Sequence, residues 1–109
     1  MYISITSIKT KSFFGMLKFM RYTLPSFTAA RKANGNLFCD SKKSNNYYHT
    51  LTAWENRSKM MDYLRGKHHS LAMKNLRSIG TGSVYGYEDG LIPSWEDALK
   101  KWKENFKEI

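Results

Sequence analysis

The chain has 109 residues, of which 41% are hydrophobic and 25% are charged, and its formal net charge is +9. This length and composition predict one globular domain over residues 1–109 and argue against a disordered chain. No apolar run approaches the roughly 18 residues that a membrane span needs, so integral membrane association is not expected. A lone Cys39 and an N-terminus without signal-peptide features lead us to expect a cytoplasmic protein.

The positive charge is spread along the chain rather than gathered in one stretch. Eighteen Lys and Arg residues face nine Asp and Glu residues, and no run of basic residues is longer than two. Such a balance can serve nucleic acid, an anionic membrane surface or an acidic ligand. A solvated basic surface explains the same scattered pattern, and we favour that interpretation.

The N-terminal third predicts a strand and then an unusually apolar helix. Residues 2–9 mix β-branched and polar side chains as a strand does, and Ser12 suits the N-cap of a helix over residues 13–24. We expect Pro25 to end this helix and begin a second segment that stops at Gly35, because the residue before a proline avoids helical angles. Apolar side chains surround most of the first helix. It therefore packs in the core and on a partner subunit, covers an apolar pocket, or touches a membrane; we favour the first.

Two further strands are predicted as an antiparallel hairpin. They span residues 36–41 and 47–54 and are joined by the polar turn Lys-Lys-Ser-Asn-Asn at 42–46. Because side chains alternate along a strand, one face of the second strand carries Tyr47, His49, Leu51 and Ala53.

The next helix is predicted to begin near Asn56 or Ser58 and to be interrupted at Gly66. Beyond the glycine, helical spacing predicts a buried stripe, while His68 points about 100° away from it. The stripe consists of His69, Ala72, Met73, Leu76 and Ile79.

A fourth strand over residues 83–88 and a last helix capped by Ser94 complete the pattern. The order β-α-β-β-α-β followed by a C-terminal helix predicts an α+β protein with a ferredoxin-like fold. Such a sheet carries its helices on one face, so we expect a second copy to cover the other face in a two-fold homodimer. The buried stripe of the last helix consists of Trp95, Ala98, Leu99, Trp102 and Phe106.

With this order established, several segments resemble a known superfamily. They are Trp-Glu at 54–55, Gly-x-x-His-x-x-Ala-Met at 66–73, Tyr-Gly-Tyr at 85–87 and Pro-Ser-Trp-Glu-Asp-Ala at 93–98. The chain resembles the dimeric α/β-barrel superfamily of antibiotic biosynthesis monooxygenases and haem-degrading monooxygenases. It is most similar to an uncharacterised bacterial branch near the spheroidene monooxygenase group. The resemblance implies a barrel-forming homodimer with a pocket between the sheet and its helices.

The resemblance also implies where a site would lie. The iron-ligating histidine of the haem degraders falls on Met73, their helix tryptophan on Tyr63 and their strand asparagine on Ser7. Because all three positions differ, haem degradation by that mechanism is not expected. The superfamily's cofactor-independent monooxygenases act on electron-rich aromatic substrates. By analogy, Trp54, Tyr63 and His69 would hold and deprotonate such a substrate here.

His69 is the strongest single candidate from the residues themselves. An imidazole on an apolar stripe can act as a base, a proton shuttle or a metal ligand. Equally, it can be a core histidine bonded to a backbone carbonyl or a tyrosine. Haem held by His69 and Met73 is a weaker possibility. A metal site would need His49 to join His69, and no carboxylate falls at ligand spacing, so no metal is expected.

The sequence therefore predicts a monooxygenase-like protein that oxidises or binds a small apolar or aromatic molecule. The alternative is a non-catalytic small-ligand or haem-binding protein on the same fold. Nucleic-acid binding is not expected, because the basic-Gly-aromatic strand run of such sheets is absent and Glu88 and Asp89 follow the aromatic strand. Cys39 is expected to be an inert buried thiol.

Overall fold

The computed structural model describes residues 1–44 and 47–109. Of the turn predicted at 42–46, residues 45 and 46 lie outside the described residues, and residues 42–44 continue the preceding strand. In chain order the elements are β1 Tyr2–Thr10, α1 Phe13–Lys32, β2 Asn36–Ser44, β3 Tyr47–Trp54, α2 Arg57–Leu64, α3 Lys67–Lys74, α4 Leu76–Ile79, β4 Gly80–Glu88, α5 Trp95–Asn105 and β5 Lys107–Glu108.

The strands form one antiparallel sheet in the order β2-β3-β1-β4-β5. The first four strands have the ferredoxin-like arrangement, so the predicted α+β fold is confirmed. The short strand β5 was not predicted. It pairs with β4 through Ser83 and Val84, and the Ile109 amide donates to the Gly82 carbonyl at 2.9 Å.

Each face of the sheet has its own core. On one face, here called the α5 face, Ile3, Ile5, Leu51 and Ala53 pack against Ala98 of α5. On the opposite face, here called the α1 face, a second core contains Ala30 of α1, Trp54 of β3 and Met60 of α2. The expectation that helices cover one face only is therefore wrong. A helix that follows β4 is long enough to fold back over the second face, and its apolar stripe is stabilised by burial there.

Helix α1 is longer than predicted because Pro25 does not end it. The helix runs to Lys32 with Pro25 inside, and its C-terminal half is held by the buried Ser26 and Ala30. Proline removes one backbone hydrogen bond, and packing of the following turns on the sheet offsets that loss. The predicted cap is correct, since Ser12 Oγ accepts from the Gly15 amide at 3.1 Å.

Gly15 is needed where α1 meets the end of α4. A Cβ at this position would collide with the carbonyl oxygen of Ile79. The same carbonyl accepts a hydrogen bond from the Lys11 amide at 3.1 Å. The absence of a side chain at Gly15 thus lets the start of α1 lie directly on the backbone of α4.

The second predicted helix is divided as its glycine indicated. Asn56 caps α2, with its Oδ1 accepting from the Lys59 amide at 2.9 Å, and Gly66 is the N-cap of α3. Ala72 is buried, but the side chain of Met73 is 37% exposed. The prediction that Met73 lies on the buried stripe is therefore wrong, because the stripe centres on Ala72 and places Met73 at its edge. Within the described residues, no helix combines the length and the apolar character needed to cross a membrane.

Candidate functional site

Trp54, Tyr63 and His69 lie in a row on the α1 face. The rings of Trp54 and Tyr63 stack with centroids 5.3 Å apart and an interplanar angle of 28°. The His69 ring meets Tyr63 edge-on at 5.4 Å. Three residues from the end of β3, the last turn of α2 and the first turns of α3 thus make one continuous group.

The inner two members of this row have satisfied polar groups. Trp54 is 1% exposed, and its Nε1 donates to Thr52 Oγ1 at 3.0 Å. The Tyr63 hydroxyl donates to the Ser26 carbonyl at 2.7 Å and lies 2.7 Å from Ser26 Oγ, which can donate in return. Burial raises the pKa of Tyr63, so its phenol stays protonated near neutral pH.

His69, at the outer end of the row, is half-buried and can exchange protons. Burial lowers the pKa of its imidazole, and a hydrogen bond with the backbone of Leu64 opposes that effect. The neutral ring is therefore favoured near neutral pH, which suits a proton acceptor. The adjacent His68 is exposed, so the two histidines of this pair have different surroundings.

His49 does not join His69. It lies on the α5 face, in register with Ser7 of β1, so the sheet separates it from the α1 face. In the described part of the chain, no group of three or more His, Cys, Asp or Glu side chains is placed to hold a metal ion. A three-histidine metal centre would require the histidines to converge, and the structure keeps them apart.

The residues also do not fit the haem-degrading site. Of the three equivalent positions, Ser7 lies on the α5 face and Tyr63 on the α1 face, while Met73 is at the edge of α3. Because these positions do not converge, they cannot act together on one bound haem. Cys39 is half-buried, and burial raises the pKa of its thiol, as expected of an inert cysteine.

A second polar group, which sequence reasoning missed, lies on the α5 face. Ser7 Oγ and His49 Nδ1 are 2.5 Å apart, and Ser83 Oγ accepts from Trp102 Nε1 at 3.0 Å. Strand pairing places Ser7 opposite both His49 and Ser83, so three polar side chains from neighbouring strands share one position along the sheet. The sequence did contain a signal for this group, because alternation along the strand places Ser7 on the same face as the buried residues Ile3 and Ile5.

A cavity of about 660 Å³ opens beside this group. Its wall includes Tyr47, Trp102 and Phe106, together with Ser7 and His49. Trp102 contacts the other three rings, with centroids 5.5 Å from Tyr47, 5.2 Å from His49 and 5.3 Å from Phe106. The α5 face thus carries an aromatic cavity with a polar floor.

Comparisons with known proteins place the fold. Neither the protein-family models nor the curated proteins include a match to this chain.

Solved structures do match. A candidate antibiotic biosynthesis monooxygenase from Nitrosomonas europaea has a TM-score of 0.72 at 14% identity, over 84% of this chain and 100% of its own. Rv0793 from Mycobacterium tuberculosis has a TM-score of 0.73 at 10% identity, over 86% and 100% of the two chains. A mutant of SnoaB, a cofactor-independent oxygenase from Streptomyces nogalater, has a TM-score of 0.68 at 10% identity, over 85% and 97%.

The chain therefore has the fold of the antibiotic biosynthesis monooxygenase-like superfamily, as the sequence resemblance predicted. Identities of 10–14% establish the shared fold and nothing finer. The likeness to the spheroidene monooxygenase group stays a prediction.

Proposed function

We propose that this chain is a monooxygenase-like protein that binds and oxidises a small apolar or aromatic molecule on the α1 face. The observation that carries the proposal is the row of Trp54, Tyr63 and His69 on a monooxygenase-like fold. The half-buried ring of Tyr63 supplies an apolar contact beside the neutral imidazole of His69, and these are the two features that deprotonation of an aromatic substrate needs.

Each residue has a distinct role in this proposal. His69 is the catalytic residue, because it accepts a proton from an acidic C–H or O–H group of the substrate. Tyr63 forms the apolar contact beside it, and Trp54, at 1% exposure, is a positioning residue that acts through Tyr63. An acidic methylene would then react as R₂CH₂ + O₂ → R₂C=O + H₂O. The substrate supplies all the electrons, one oxygen atom enters the product and the other leaves as water.

A non-catalytic ligand-binding function on the same face is the second candidate. The hydroxyl of Tyr63 is engaged by Ser26, and the indole nitrogen of Trp54 is engaged by Thr52. Neither polar group is then free for chemistry, which favours binding over turnover. The ligand of this second candidate is a small molecule or haem, and the haem-degrading mechanism is assigned to neither candidate because its positions do not converge.

We also propose that the protein is a homodimer in a bacterial cytoplasm and that residues 1–109 form one domain. Helix α1 supports the dimer, because five of its large apolar side chains remain exposed. They are Phe13, Phe14, Leu17, Met20 and Leu24. The lone, half-buried thiol of Cys39 suits a reducing compartment.

The His69→Gln variant tests the enzymatic proposal, with His68→Gln as the matched control. Anthrone, a flat molecule with an acidic methylene, serves as the probe, and oxygen consumption is the measurement. Because general base catalysis contributes about 10²–10⁴-fold, His69→Gln should lower the rate at least tenfold. His68→Gln should retain the wild-type rate.

Equal rates in the two variants would remove His69 from the mechanism. Saturable anthrone binding without oxygen uptake by the wild-type protein would instead support the non-catalytic function. Circular dichroism of both variants separates a loss of activity from a loss of fold.

A further inference from the structure

The floor of the α5-face cavity presents an imidazole nitrogen without a protein partner among the described residues. His49 Nδ1 is engaged by Ser7, whose hydroxyl has no other acceptor among the described residues. When the Ser7 hydroxyl donates to Nδ1, the ring proton lies on Nε2 and can be donated into the cavity. Within residues 1–44 and 47–109, Nε2 has no hydrogen-bond partner, and it is not sealed in the interior. A nearly buried N–H group of this kind is stabilised by an acceptor in the cavity.

The wall of the cavity suits a flat ring. Tyr47, Trp102 and Phe106 contribute three aromatic side chains, and Trp102 is fixed by its hydrogen bond to Ser83. Fixed aromatic side chains lose little conformational entropy when a ring packs against them. The cavity volume of about 660 Å³ is within the range of small-molecule sites.

The charges around the cavity favour an anion. Lys103 lines it, Lys42 is paired opposite His49 on β2, and the Lys9 ammonium lies 5.9 Å from the Tyr47 ring. None of these lysines forms an ion pair in the described part of the chain. Glu108 is the acidic residue in the lining. The lining itself holds one lysine and one glutamate, so the excess positive charge comes from Lys9 and Lys42 beside the cavity.

From these three features we infer a second binding site, on the α5 face, for a small aromatic carboxylate. Its ring packs on Tyr47 and Trp102, and one carboxylate oxygen accepts a hydrogen bond from His49 Nε2. Lys103 supplies the nearest balancing charge from the cavity lining. This site does not depend on the proposed oxygenase function, because the sheet separates it from Trp54, Tyr63 and His69.

Calorimetric titration with 1-naphthoate tests the site, and 1-naphthalenemethanol provides a neutral probe of the same ring. The carboxylate should bind at one site per chain, at least tenfold more tightly than the alcohol, because a charged acceptor forms the stronger hydrogen bond. Equal binding of the two probes, or no saturable binding of 1-naphthoate, would overturn the proposal.

Nuclear magnetic resonance of the wild-type protein locates the bound molecule without any mutation. Addition of 1-naphthoate should shift the imidazole resonances of His49 and leave those of His69 unchanged. Shifts at His69 alone would place the ligand on the α1 face and contradict the inference. This measurement decides the location even if substitution of the buried His49 prevents folding.

Lys103→Ala and Lys100→Ala form a matched pair for the charge contribution, since both lysines are exposed on α5. Lys103 lines the cavity, so its loss should weaken 1-naphthoate binding by about two- to fivefold, the range expected of an exposed ion pair. Lys100→Ala should bind as the wild type does. Equal affinities in the two variants would contradict a role for Lys103.

Discussion

Two histidines on opposite faces of the sheet are neutral for the same physical reason. Burial lowers the pKa of both His49 and His69, and the Lys42 ammonium lowers that of His49 further. Their other contacts differ, because His49 bonds to Ser7 whereas His69 packs on Tyr63 and bonds to the backbone of Leu64. Each face therefore presents one imidazole that is costly to protonate.

We expect the folded protein to lose stability as the pH falls below about 6.5, the ordinary pKa of histidine. Because the folded pKa values are lowered, the unfolded chain binds more protons in this range, and the free energy of unfolding decreases. Urea denaturation between about pH 8 and pH 5 measures the effect. His69→Gln should reduce this dependence relative to the wild-type protein. A free energy of unfolding that stays constant across this pH range would contradict the expectation that His49 and His69 are neutral in the folded protein. The Asp40 carboxyl affects the free energy of unfolding only at lower pH, because the Trp95 hydrogen bond is the main cause that lowers its pKa.

Among the elements, α1 shows most clearly that packing can override local propensity. It contains an internal proline, yet continues for two turns beyond it. Its buried positions include Phe19 on one side of Pro25 and Ala30 on the other, so both halves of the helix are held to the rest of the molecule. Five of its other large apolar side chains lie on the exposed surface.

Pro25→Ala should stabilise the protein. Alanine restores an amide that can donate to the Arg21 carbonyl. Inside a helix alanine is favoured over proline by about 3 kcal/mol. The unfolded chain gains conformational entropy when proline is removed, and this offsets about 1 kcal/mol of the gain. The net gain in the free energy of unfolding should be about 2 kcal/mol, measured by urea denaturation. Thr28→Ala, at an exposed position of the same helix, should change it by about 0.5 kcal/mol or less. A destabilised Pro25→Ala protein would show that the proline ring itself is needed for packing.

The whole molecule has a sheet that is covered by helices on both faces. It also has an apolar surface on α1 that none of the residues described by the structure covers. The sequence suggested that a second copy would cover the open face of the sheet. Since α5 already packs on that face, the exposed side of α1 becomes the better candidate for a dimer contact. Phe13 and Phe14, at 72% and 74% exposure, lie at its N-terminal end.

Sedimentation equilibrium should give twice the mass of one chain. Replacing Phe13 and Phe14 together by Ser should shift the protein toward monomer, because burial of two large aromatic side chains would no longer stabilise the contact. Leu91→Ser, at a 77% exposed position between β4 and α5, is the control and should remain dimeric. A wild-type protein that stays monomeric at high concentration would contradict the proposed homodimer.

The sequence by itself determined the order of the first four strands, the caps at Ser12 and Ser94, and the interruption at Gly66, and it narrowed the cap of α2 to Asn56 or Ser58. These features depend on residues within a few positions of one another, where spacing and side-chain chemistry suffice. Only the tertiary structure decided that α1 passes through Pro25 and that α5 covers the second face. It also brought Ser7 to His49, 42 positions along the chain, through the register of two paired strands. Local periodicity carries no information on such pairing, because register is set by how whole strands bury their faces together.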